Sequence, residues 1–81
     1  MMNIRDVITF EDNKEYVILD MLETNNEKYL YCVGIDKEEK PTNEFIYFQG
    51  IEKNNEYFVE EILDKNKLND IINMFKNKYL N

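Results

Sequence analysis

Histidine, serine and tryptophan are absent from this 81-residue sequence, and arginine, cysteine and proline each occur once. Without histidine there is no imidazole to act as a general base, to activate a thiol or to ligate a metal. Without serine the commonest hydroxyl nucleophile is missing, and Thr9, Thr24 and Thr42 have no histidine to activate them. The two glycines, Gly34 and Gly50, stand too far apart to build a phosphate-cradling loop. Arg5 is the only arginine, so the bidentate reader of guanine and of phosphate is scarce. Cys32 has no intrachain disulfide partner, and within the apolar run Tyr29-Leu-Tyr-Cys-Val it reads as a small buried hydrophobe. A reducing compartment follows, most simply the cytoplasm. The opening Met1-Met-Asn-Ile-Arg-Asp carries no signal-like apolar stretch, and no run approaches the ~20 residues that span a bilayer. The expectation is a non-enzyme with no catalytic, cofactor or metal site.

Negative charge is plentiful. Seventeen acidic residues against ten basic give a net charge of −7, which repels nucleic acid and anionic membrane surfaces alike. Acids such as Glu11, Asp12, Glu27, Glu38, Glu39, Glu52 and Glu56 flank predicted strands or fill turns, which makes them a solvated face and not a pair of hydrolytic carboxylates. Asp36-Lys-Glu-Glu-Lys lacks the alternating oxygens and the glycine of a calcium loop. A hydrophobic content of 43%, with six Tyr and five Phe, is ample for a folded chain and favours pleated packing. At this length roughly 60–65% of the unfolded surface can be buried, enough for one domain over residues 1–81.

Five β-prone stretches are expected, at about 4–10, 15–24, 28–36, 44–53 and 56–63. The turn signals between them are Glu11-Asp-Asn-Lys, Thr24-Asn-Asn-Glu, the loop Lys37-Glu-Glu-Lys-Pro-Thr-Asn and Lys53-Asn-Asn-Glu, where Asn tolerates positive φ. Gly50 is a candidate bulge, and Pro41 cannot donate within a central ladder. Glu44-Phe-Ile-Tyr-Phe-Gln-Gly matches the cleavage sequence of a protease used to remove tags, yet it falls inside a predicted strand and reads as native sequence. The period then changes. Leu68, Ile71, Ile72, Phe75 and Tyr79 form a helical apolar stripe over about 66–79, with Asp64 or Asn66 as cap and Lys76 and Lys78 at the negative end of the dipole. The fold class is α+β: an antiparallel five-strand meander packed by one C-terminal helix.

Tyr16-Val-Ile-Leu, Tyr29-Leu-Tyr-Cys-Val and Phe45-Ile-Tyr-Phe are apolar on both faces of their strands. One helix covers only part of one face, so the remainder needs a second layer. Curling toward a half-barrel would supply it, and so would a homodimer or a bound protein. Tyr29, Tyr31, Tyr47 and Asp20 are the residues expected to face such a partner; base stacking by the tyrosines is disfavoured for want of basic neighbours.

The segments Ile8-Thr-Phe-Glu-Asp-Asn, Glu15-Tyr-Val-Ile-Leu-Asp, Asn26-Glu-Lys-Tyr-Leu, Glu44-Phe-Ile-Tyr-Phe and Val59-Glu-Glu-Ile-Leu-Asp, with the helix through Leu68, Ile71, Ile72 and Phe75, carry a resemblance. In pattern and spacing the chain resembles the bacterial domain-of-unknown-function family 1292, small acidic proteins of low-GC Gram-positive bacteria. That resemblance implies no activity and no functional residues. The functional expectation is a small cytoplasmic module acting by protein contact or self-association. An acidic decoy for a basic nucleic-acid-binding protein, or a small-molecule binder, are the alternatives.

Overall fold

A computed structural model describes residues 2–24 and 26–80. The strands are β1 (Val7–Thr9), β2 (Glu15–Thr24), β3 (Glu27–Ile35), β4 (Pro41–Lys53) and β5 (Glu56–Glu61), followed by α1 (Lys65–Lys78). They pair antiparallel in chain order, β1-β2-β3-β4-β5, as a meander. Turn chemistry sets the registers. Asn54 and Asn55 both sit at positive φ, 54° and 66°, which is the two-residue turn that matches strand twist. Asn13 takes the left-handed position between β1 and β2, and Glu39 takes the equivalent one between β3 and β4. Asn26 is left-handed too, while Asn25 of that predicted turn lies outside the described residues.

The sheet curls, and this supplies the second layer. On one face Tyr16, Ile18, Leu30, Cys32 and Phe48 form a buried cluster, joined by Met2, Ile8 and Phe10 from the N-terminal segment. Phe10 meets Phe48 at 5.2 Å and Tyr16 edge-on at 5.5 Å between ring centroids, so the chain before β2 folds across the concave side. On the other face α1 seats Ile71 and Phe75 against Tyr29 and Ile62, with Tyr31, Tyr47, Leu22 and Leu68 around them. Asp64 caps the helix by accepting from the backbone N–H of Asn66 and Lys67.

Several boundaries differ from expectation for identifiable reasons. The first strand begins at Val7 and not near Ile4, because Asn3 and Asp6 close a turn and Arg5 stands at φ 78°. The fourth begins at Pro41, paired with Ile35; as the first strand residue it leaves no missing N–H in the ladder. The fifth stops at Glu61, since Ile62 turns into the helix-side core. The bulge expected at Gly50 is not there: Gly50 pairs regularly with Lys28 and Val59. The irregularities lie between Ile18 and Asp20 on β2, and opposite Gly34, where β4 carries extra residues.

Gly34 matters because Thr42 leans onto it. The Thr42 hydroxyl donates to the Gly34 carbonyl at 3.0 Å and accepts from the Glu44 N–H at 3.1 Å. A Cβ on Gly34 would lie 2.9 Å from the Thr42 Oγ1. Gly34→Ala is therefore expected to destabilise by about 1–3 kcal/mol, lowering Tm by several degrees in thermal unfolding, and Thr42→Ala in that background recovers part of the loss.

Burial pushes the Cys32 thiol up to about 12, and burial followed by an adjacent carboxylate (Glu44 or Glu27) does the same for the Tyr16 and Tyr29 phenols. The folded state holds these protons while the unfolded chain releases them from the ordinary values of 9.0 and 10.0. Their contribution is complete below pH 9 and is lost as pH rises toward 12. Urea titrations at successive alkaline pH values should show stability falling there, with Cys32 unreactive to a thiol reagent until the chain unfolds.

Candidate interaction surface

Asp20 is a buried charged residue beside the β2 bulge. Burial alone would raise its carboxyl, but hydrogen bonds from Lys78 Nζ, the Tyr79 hydroxyl and the Met21 N–H together hold it below the usual carboxylate value. Lys78 Nζ stands 2.7 Å from Asp20 and also donates to the Met21 carbonyl at 2.9 Å, tying the end of α1 to β2. At the other end of the helix, Lys67 Nζ donates to Gln49 Oε1 at 2.9 Å and lies over the Tyr29 ring.

The sequence-predicted partner residues are thus all met by the chain's own helix. Tyr29 and Asp20 are buried; Tyr31 and Tyr47 are half-buried against Phe75, with centroids 6.2 and 5.5 Å from its ring. The structure brings Tyr31 and Tyr47 together at 4.8 Å, and the stack continues outward to Phe45, 6.0 Å from Tyr31 and nearly parallel to it. Phe45 is 56% exposed. Apolar patterning alone does not single it out from Ile46, Tyr47 and Phe48, because the pattern is apolar on both faces of β4.

Phe45 ends a cross-strand row. Val7 pairs with Val17, Val17 with Val33 and Val33 with Phe45, one apolar residue from each of four strands. The row shares the helix-side face but lies beyond the helix, and Leu19, Ile35 and Pro41 border it around a shallow depression.

Phe45 also lies on a free edge. The tight turn makes Lys53 and Glu56 a hydrogen-bonded pair, so alternate β4 residues from Lys53 back to Phe45 aim their N–H and C=O toward the β5 side. The same register would set Asp64 opposite Phe45, and Asp64 is already the helix cap. Among the described residues, no strand lies beside β4 on that side from Pro41 to Tyr47. Grooves flank this edge on both faces. The helix-side groove, about 490 Å³, is lined by Phe45, Ile46, Tyr47, Ile62, Leu68 and Ile72, and Glu44 and Glu61 line it as well as its neighbour. The concave-side groove, about 270 Å³, has Phe10, Ile46 and Phe48 as floor, Asp12, Glu44 and Glu61 as rim, and Lys14 as its basic group. There the Tyr16 hydroxyl donates to Glu44 at 2.9 Å.

No side-chain cluster among the described residues is arranged to hold a metal ion, and no described helix is long and apolar enough to cross a membrane. Compared with protein-family models, curated proteins and solved structures, the chain matches none.

The Asp20 anchor has a pH signature. Its contribution is complete above the ordinary carboxyl value of 3.8 and is lost as pH falls through the lower folded value. Asp20→Asn should cost about 1–3 kcal/mol near neutrality, and the loss should shrink as the wild type is titrated below pH 4. Thermal unfolding across pH 2.5–7, a window of roughly the carboxylate range, measures both.

Proposed function

We propose that the protein is a non-enzymatic module that acts by contact with another protein, using the open flank of the sheet that ends at Phe45. The observation that carries this reading is surplus surface beside an exposed aromatic, Phe45. The molecule exposes 6325 Å², against about 5,200 Å² for a typical monomer of its mass. Its radius of gyration is 12.8 Å, where a chain this long averages about 11.7 Å. The excess, about 1,100 Å², compares with the ~800 Å² that each partner contributes to a standard interface. Phe45, Val7 and Leu19, exposed around the buried Val33 of that row, add the apolar side chains such an interface requires.

Action in a reducing compartment, the cytoplasm, suits the lone buried thiol. Membership in the family that the sequence resembles belongs to the same reading. Charge favours a different protein over a second copy, since a net −7 on both partners repels. Presentation of carboxylates to a basic protein is a second reading, supported by the acidic rim at Asp12, Glu44 and Glu61.

The test pairs wild type with Phe45→Lys, a change at an exposed site that should leave Tm within about 2–4 °C. Affinity capture from an extract of the source cells should retain a protein on wild type and lose it on the variant. Identical capture by both, or a concentration-independent homodimer in light scattering, would remove the reading.

A further inference from the structure

The free stretch of β4 differs from an ordinary sheet edge, because it has a groove on each face at the point where a neighbouring strand would run. A strand laid there would send successive side chains alternately to the two faces. Those leaning to the helix side would meet mainly Phe45, Tyr47, Leu68 and Ile72, with Glu44 and Glu61 at the boundary that this groove shares with the other. Those leaning to the concave side would meet Glu44, Glu61 and Asp12 around an apolar floor of Phe10, Ile46 and Phe48, with Lys14 as the one basic group of that groove. Register sets both carboxylates on the concave face: Glu61 pairs with Phe48 there, and Glu44 reaches Tyr16 on that same face.

Resting on the contact reading above, we propose that this edge captures an extended segment of its partner by strand addition, and that the segment alternates apolar and basic residues. Main-chain hydrogen bonds to the Phe45 N–H and C=O would supply affinity, and the two grooves would read alternate side chains. The apolar residues enter the helix-side groove. Lysine or arginine pairs with Glu44 and Glu61, and removes like-charge repulsion that the concave rim otherwise carries. A second copy of this chain is a poor occupant. Edge-to-edge pairing about a two-fold axis would set the Glu44 and Glu61 carboxylates of one copy against those of the other. Exposed carboxylates on an edge are a recognised device against such self-pairing.

The experiment uses the full chain and synthetic six-residue peptides of alternating Val and Lys, with matched Val–Glu and Val–Gln peptides as controls. Fluorescence anisotropy reads affinity, and amide hydrogen exchange by NMR reads the contact. The Val–Lys peptide should bind at least about tenfold more tightly than the Val–Glu peptide, weaken with added salt and slow exchange at the Phe45 amide. Glu44→Gln combined with Glu61→Gln keeps an acceptor for the Tyr16 hydroxyl, so the fold is retained. This variant should cut the preference for Val–Lys over Val–Glu to within about threefold. Equal binding of all three peptides, or no change at the Phe45 amide, would overturn the proposal. So would protection of that amide by the protein's own dimerisation. If peptide binding fails while extract capture stays sensitive to Phe45→Lys, strand addition is lost and the contact reading stands.

Discussion

Strands β2, β3 and β4 are apolar on both faces, and a single fourteen-residue helix is available to cover them. Nearly every other feature answers that constraint. The helix takes the tyrosine side, and the N-terminal segment folds across the other, placing Met2 over Gly50 and Phe10 on Phe48. Curling is what brings those contacts within reach, and the two irregularities in the ladder lie where the sheet must bend. At one of them Asp20 is pulled inward, and the same bend that buries it gives Lys78 and Tyr79 a place to dock. Coverage is incomplete toward Phe45, where both layers run out, and also at Val7, Leu19 and Phe58, which stay exposed.

The unpaired edge arises from a conflict between two local signals. A tight asparagine turn fixes how β5 runs back along β4, and a helix cap at Asp64 fixes where β5 has to stop. Each signal satisfies backbone groups of its own. Together they leave β4 longer than its neighbour, and the surplus, from Pro41 to Tyr47, includes the apolar run Phe45-Ile-Tyr.

Much of this was readable beforehand. The turns were legible because asparagine tolerates left-handed backbone, and the helix because Leu68, Ile71 and Phe75 recur on one side of it. The direction of curl was not, since it depends on bulges that Ile18 and Val33 do not announce. The sequence offers Tyr29, Tyr31, Tyr47 and Asp20 as residues facing a partner, but the side that the helix takes is decided by the summed packing of both clusters. Phe45 could have been found: with Lys53 set opposite Glu56, counting back places the cap residue Asp64 beside it.

The pairing order also has a temporal meaning. Each strand joins the one made just before it, so the sheet can grow as the chain is synthesised, with short closures throughout. Longer closures come from the two covering layers, and the tie between Lys78 and Asp20, spanning fifty-eight residues, is among the longest. Until that late segment is made, β2 carries an unmatched carboxylate at its bend and the tyrosine side has no cover. A nascent chain therefore passes through a sticky stage that the finished molecule never revisits while folded, and it is the last turn of the helix that brings this stage to a close.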